Sequence, residues 1–316
     1  MIDILNSKST DELQLGSYHV EKFDSFNNHY IGIDKDNNIA LLINNINSQN
    51  LTLTSHKGEN LEILFDQETD IINATSNIST RFTILRLINK TKNTQYYFFK
   101  ICEILLSILG DEPDIKSVEK EVFILKDIFK NLTNKLLKDE IGLWGELLVI
   151  SIQNNIGSAV NAWHISNTNR IDFNDGKVKV EIKTTTLNER KHVFKLNQLK
   201  SHFRENVIVG SVVTEQIDNG VSIKDLINKI EGNINSQVKI LFNKKLAECL
   251  GSDIFGIEFK KFDYDFAIEN FLLFRAQDIP SIEIEYVPND VTDVQFMSRL
   301  DESLCIKLIK VSQIFS

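Results

Sequence analysis

The chain is predicted to take a mixed α/β (α+β) fold with a β-rich N-terminal domain, and three observations carry that expectation. Residues up to about 93 break into short alternating or apolar runs divided by turn residues. Apolar residues at helical spacing then dominate as far as about residue 156. Beyond them, 177–183 and 191–196 alternate strictly in polarity, as half-buried strands do. The organisation is read as a β-rich domain (1–93), a helical lead-in and core (94–215) and a C-terminal α/β extension packing on that core (216–316).

In the first domain the expected strands are Tyr18–Phe23, Tyr30–Asp34, Ile39–Ile43, Leu51–Thr54, Leu61–Phe65 and Phe82–Ile88. Turns such as Lys35-Asp36-Asn37-Asn38 and Lys57-Gly58-Glu59-Asn60 separate them. Tyr96–Leu109 reads as a buried helix; Lys100 and Glu103 interrupt it, and it is too short to span a bilayer. Gly110-Asp111-Glu112-Pro113-Asp114 breaks the helical run. A long helix is expected from Asn131 to about Ile156, with Glu146 in its midst. The neighbours of Glu146 at three and four residues are Gly142, Leu143, Val149 and Ile150. Such a shielded carboxylate needs a cation or donors, or it takes up a proton; pairing with a lysine at a helix edge is the plainer reading. Gly142 and Gly145 each cost a helix about 1 kcal/mol relative to alanine, which points to close backbone approach. Val207–Thr214 is a further apolar strand. Ser222 with Asp225 forms a capping arrangement for a helix running to Leu250, with Gly251 as terminator.

The chemistry concentrates between 172 and 183. Val178, Val180 and Ile182 point to one side of a strand, and Lys177, Lys179, Glu181 and Lys183 to the other. Asp175-Gly176 is a hairpin-turn signal. As a two-residue loop it pairs Asn174 with Lys177, Phe173 with Val178 and Asp172 with Lys179, so Asp172 joins the polar face. Asp172 and Glu181 become diagonal neighbours roughly 7–8 Å apart, able to share one Mg²⁺ at about 2.0–2.1 Å. A slip of one residue would turn Asp172 to the other face. The bland alternative is a solvated strand face with cross-strand ion pairs.

From Lys177 to Arg204 eight cations face two carboxylates, Glu181 and Glu189, in a chain of net charge −9. That local excess suits a phosphate backbone, although the overall acidity slows encounter with one. Candidate DNA contacts are Arg170, Lys179, Arg190, Lys191, His192, Lys195 and Lys200; for His192 a solvated strand position is the alternative. Asn197 is a fair cap for a short helix bearing Gln198.

Taken in order, Gly142-Leu143-Trp144-Gly145-Glu146-Leu147, Arg170-Ile171-Asp172-Phe173, Val180-Glu181-Ile182-Lys183-Thr184-Thr185 and His192-Val193-Phe194-Lys195-Leu196-Asn197-Gln198-Leu199 resemble the PD-(D/E)XK nuclease superfamily. More narrowly they resemble a bacterial group of that superfamily associated with restriction and phage-defence gene clusters. The resemblance covers roughly 140–204, and Ile171 stands where the superfamily's name expects proline. It implies a restriction-endonuclease-like core, a central mixed β-sheet flanked by helices, and a Mg²⁺-dependent DNA endonuclease in which Mn²⁺ can substitute. Asp172, Glu181 and the Ile182 carbonyl would ligate the metal, and Glu146 would hold a water beside it or a second ion. Lys183 would position or deprotonate the attacking water, and Gln198 would orient Lys183 or a phosphate oxygen. The implied partners are DNA, a second copy of the chain, and defence subunits such as a methyltransferase or helicase. The runner-up is a catalytically silent DNA-binding or scaffolding subunit; a third reading is a protein-interaction adaptor.

Other classes find less support. Cys102, Cys249 and Cys305 match no ligand spacing and suit a reducing cytoplasm. Met1–Asn6 lacks the basic and apolar regions of a signal peptide, and no membrane partner is expected. The six histidines form no zinc pattern; His164 reads as packing. No phosphate-binding glycine loop and no serine elbow is present. Phe262, Tyr264, Phe266, Phe271 and Phe274 are read as core rather than as a base-stacking platform.

Overall fold

A computed structural model of the chain describes residues 5, 10–11, 13–23, 25–45, 53–73, 77–132, 139–164, 171–196, 207–255, 258–291, 293–307 and 310–315. The strands in chain order are β1 (Ser17–Lys22), β2 (His29–Ile33), β3 (Ile39–Ile43), β4 (His56–Lys57), β5 (Leu61–Ile72) and β6 (Asn77–Leu87). Four helices follow: α1 (Lys92–Leu109), α2 (Ile115–Asn131), α3 (Glu140–Ser151) and α4 (Ile156–Ala162). Next come β7 (Phe173–Asn174), β8 (Lys179–Thr185), β9 (Lys191–Lys195), β10 (Val207–Val213) and β11 (Gln216–Ser222). The chain continues with α5 (Ile223–Glu231), α6 (Ser236–Leu250), β12 (Lys261–Phe262), α7 (Tyr264–Glu269), β13 (Phe271–Arg275) and β14 (Gln295–Arg299). The fold is therefore mixed α+β. Among the described residues no helix is long and apolar enough to cross a membrane.

The chain divides into two compact units. The first comprises 1–136 and 239–257, the second 137–238 and 258–316. The lead-in helices α1 and α2 thus group with the N-terminal sheet rather than with the later one. The reason lies in their apolar stripes: Phe98, Ile101 and Leu105 of α1 and Val118, Val122 and Leu125 of α2 share one core with Ile31, Ile33, Leu41 and Leu85 of the strands. In the first unit β1, β2, β3, β6 and β5 pair in sequence, and a parallel β1–β5 pairing closes the ring. The alternate residues Tyr18, Val20, Tyr30, Leu42, Phe82 and Ile84 fill a second core. Period two thus puts each strand's side chains into both cores. Asp114 caps α2 by accepting from the amides of Lys116 and Ser117, and Gly110, at φ +71°, ends α1.

In the second unit a mixed four-stranded sheet runs β13-β10-β8-β7, with β8 and β10 parallel and the outer pairs antiparallel. A separate antiparallel ribbon joins β9 to β14. The expected helix from Asn131 to about Ile156 is corrected. Asn131 ends α2, α3 spans Glu140–Ser151, and the Asn155 side chain opens α4 by accepting from the Ser158 amide at 2.9 Å. Apolar periodicity runs across such joints; the caps decide where they fall. The helix expected to run to Leu250 is likewise two, α5 and α6, with the Ser222–Asp225 capping box at the start of α5. Leu51 and Thr52, expected in a strand, lie outside the described residues, as do Arg170, Asn197, Gln198 and Lys200.

Candidate active site

The site is built on β8, an interior strand between β7 and β10. Its polar face is largely withdrawn from water: Lys179 and Lys183 are half-buried, and Glu181 is only 3% exposed. Water cannot hold that charge, and Lys183 Nζ lies 2.8 Å from Glu181 Oε1. The ammonium also sits 5.5 Å from the centre of the Phe194 ring, a cation–π arrangement. A carboxylate and an ammonium two residues apart on one strand face thus pair with each other in the interior.

The hairpin register differs from the sequence expectation by two residues. Phe173 pairs with Val180 and Asn174 with Lys179. The turn chemistry explains the shift. Asn174 Oδ1 accepts the Gly176 amide at 2.9 Å, and Asp175 Oδ1 accepts the amides of Lys177 and Val178 at 2.8 and 2.7 Å. These side-chain bonds move the tip to Gly176-Lys177, with Gly176 at φ +87°. An even shift preserves the face, so Asp172 falls level with Glu181 instead of diagonal to it. Asp172 Oδ2 accepts the amide of Ile182 at 2.8 Å, which ties the carboxylate to β8.

Glu146 comes from α3, a helix buried on all sides. A Cβ on Gly145 would lie 1.8 Å from Thr184 Oγ1, so the glycine permits the close contact of α3 with β8. Gly142 has open space instead. The buried carboxylate of Glu146 takes its donor from the Trp163 indole, Nε1 to Oε2 at 2.7 Å. Asp139, Glu146, Asp172, Glu181, Ile182 and Lys183 all line one pocket of about 620 Å³. Behind the hairpin, Phe315 packs on Phe173 with ring centres 5.1 Å apart. Gln153 Oε1 accepts the amides of Ile314 and Phe315, and its Nε2 donates to the Val311 carbonyl.

The basic candidates separate. Lys191 and Lys195 line the pocket and are exposed, and Lys179, half-buried, opens β8. Arg190, expected at a phosphate surface, is buried: Nε reaches Glu302 at 2.8 Å, Nη1 donates to Ser211 O and Oγ, and Nη2 donates to Asn270 O. His192 is neither solvated nor directed outward. It is 4% exposed and its Nε2 stands 2.8 Å from Ser211 Oγ. Burial lowers its pKa to about 4, with the charges of Lys183 and Arg190 adding to the effect, so the ring is neutral near pH 7. Three neighbours escaped the sequence reading. Trp163, whose indole serves Glu146, carries no signal in the sequence beyond its place next to His164. Ser211, the cross-strand partner of Lys183, was signalled only by one hydroxyl in the apolar run of β10. Asp139 stands just before α3 and makes no capping bond there.

The donor set suits a hard divalent cation in kind, because its carboxylates offer oxygen. As they stand these carboxylates hold protein donors, and among the described residues no three His, Cys, Asp or Glu side chains already converge as a ligand cluster. An aspartate on a hairpin arm, Glu-x-Lys on the central strand and a glutamate on the packed helix follow the order of a PD-(D/E)XK protein. The DUF4420 family model, described as "Putative PD-(D/E)XK family member", matches residues 5–301, and the chain belongs to that family. No curated protein and no solved structure matches the chain.

Proposed function

We propose that the protein is a Mg²⁺-dependent DNA endonuclease with a restriction-endonuclease-like core, serving in restriction or phage defence in the cytoplasm. The observation that carries this reading is the burial of Glu181 beside Lys183 on an interior strand, in a pocket shared with Asp172 and Glu146. Buried charge is costly to a fold, and here it lines a cavity. Family membership supports the nuclease class.

Asp172, Glu181 and the Ile182 carbonyl would hold the cation, with Glu146 available for a second ion or a water; Mn²⁺ would substitute. When bound, the ion supplies Lewis-acid polarisation of a phosphate oxygen and acidifies a water. The rest falls to the chain's own groups. The Ile182 amide keeps Asp172 from rotating away. Lys183, released from Glu181, donates to a phosphate oxygen and offsets the charge growing there. Lys179, Lys191 and Lys195 meet the DNA backbone. Arg170, Gln198 and Lys200, outside the described residues, keep their expected roles in this proposal, and a second copy or defence subunits such as a methyltransferase or helicase would join the assembly.

The test is supercoiled plasmid incubated with purified protein and Mg²⁺ or Mn²⁺, against EDTA. Wild type should nick or linearise it, and Glu181→Gln and Lys183→Ala should each lose roughly 10²–10³-fold in rate. Undiminished cutting by both variants would remove these residues from the mechanism. One observation favours the alternative of a silent DNA-binding or scaffolding subunit: Glu181 and Lys183 already neutralise each other at 2.8 Å. In that case DNA binds with an affinity indifferent to Mg²⁺ and is never cut.

A further inference from the structure

The β9–β14 ribbon buries one face and leaves the other to solvent. His192 and Phe194 of β9 and Ser298 of β14 turn inward, and Phe194 enters a core with Val207, Val209 and Phe274. Outward stand Lys191, Val193 and Lys195 on β9, and Gln295, Met297 and Arg299 on β14, all of them exposed. The register opposes Lys191 to Arg299, Val193 to Met297 and Lys195 to Gln295. The face is therefore an apolar pair between cationic ends, with no carboxylate on it. Met297 is 63% exposed and Val193 47%, so the opposed pair presents one apolar contact surface to solvent. Directly opposed like charges, as at Lys191 and Arg299, weaken a ribbon unless an anion lies near them. Glu189 meets part of that need, at 2.6 Å from Lys191, and both it and Asp301 lie in the field of Arg299. Both acids belong to the flanking loops, not to the strand face.

We infer that this outward face is a docking rail for duplex DNA, and that β14 supplies half of it. The inference rests on the nuclease reading for the identity of the partner and adds Val193, Gln295, Met297 and Arg299 to the surface. Two arguments select DNA as the occupant. The charge of the face is opposite to a phosphate backbone's, in a chain of net charge −9. The face is also continuous with the candidate active pocket, since Lys191, Val193 and Lys195 line both. Five residues of strand extend roughly 17 Å, about five nucleotide steps of one DNA strand. Cations at the ends hold phosphates, Gln295 offers a donor and an acceptor, and the Val193–Met297 pair packs on sugars or base edges between them.

The experiment is fluorescence anisotropy with a labelled 20-base-pair DNA duplex, in EDTA so that no strand is cut, and in Mg²⁺ to follow cleavage separately. Arg299→Glu and Met297→Asp should each weaken binding at least fivefold, and Arg299→Lys should restore it to within twofold of wild type. Arg299→Ala should reduce the slope of log affinity against log salt by about 1. Tryptophan fluorescence unfolding checks that each variant is folded; should Met297→Asp misfold, the three Arg299 variants decide alone. Binding by Arg299→Glu equal to wild type overturns the rail, and so does a wild type that binds no duplex. An RNA duplex bound as tightly as DNA overturns the choice of partner. A wild type that binds through this face yet never cuts defeats the nuclease reading and leaves the rail standing. Cutting that is unchanged in ribbon variants of unchanged affinity does the reverse.

Discussion

Each unit takes charges into its sheet, and the two treat them differently. In the first, Arg86 donates to Glu62 and to the Tyr18 hydroxyl at 2.6 Å each and lies 3.1 Å from Asp34, whose Oδ1 also accepts the amides of Asp36 and Asn38. One cation is spread over three oxygen partners, with loop amides helping to hold one of them. In the second, Lys183 and Glu181 pair at 2.8 Å, and both line a pocket. A group with many partners holds a fold together. A charge that also lines a pocket stands where a ligand can reach it, and that access, more than burial itself, separates a structural charge from a candidate catalytic one.

The sharpest way to break this contrast is a matched pair of substitutions. Arg86→Ala strands Glu62 and Asp34 and should cost the first unit roughly 3–5 kcal/mol, read by hydrogen exchange of β5 and β6. Glu181→Gln removes charge with little change of shape, and Lys183, 21% exposed and lining the pocket, can turn to water. Stability should therefore shift by no more than about 1 kcal/mol, while cleavage falls roughly 10²–10³-fold. If the two variants proved equally destabilising, the distinction would be lost.

A pH titration comes next. Trp144 and Trp163, the chain's two tryptophans, both lie in the second unit, so their fluorescence follows that unit. The folded pKa of His192, about 4, is below its unfolded value of 6.5, so the unfolded chain takes up the proton first. Stability should therefore rise between about pH 4 and 6.5, by on the order of 3 kcal/mol, and this contribution should be constant above that window. His192→Asn should flatten the rise; an unaltered slope would show that another group carries it.

The smallest effect expected is at the helix contact. Gly145→Ala should cost about 1–3 kcal/mol through overlap with Thr184, and adding Thr184→Ala should recover part of it. An additive double mutant would mean that α3 does not rest on β8 in this way.

Much of this was legible in the sequence, and the failures have physical causes. An unbroken apolar run located Ile39–Ile43, and period two located the Glu-x-Lys strand, since alternation survives whatever a strand packs against. It could not say that β8 is an interior strand, so the burial of Glu181 was open until its neighbours were known. Parity put Asp172 on the right face, while side-chain bonds in the turn, which parity does not encode, set the register. Arg190 and His192 looked like groove residues because charge is visible in a sequence and the Ser211 that receives both is not. β14 lies some hundred residues beyond β9, too far for local pattern to pair them.

The clamp around Phe315 has a consequence for how the hairpin is kept rigid. Gln153 holds residues 311–315 by their backbone, and Phe315 wedges behind the strand that begins next to Asp172. Removing that short segment would leave a wet hollow behind Phe173 and loosen the arm carrying the aspartate, so a change far along the chain would be felt where the phosphate is expected to lie.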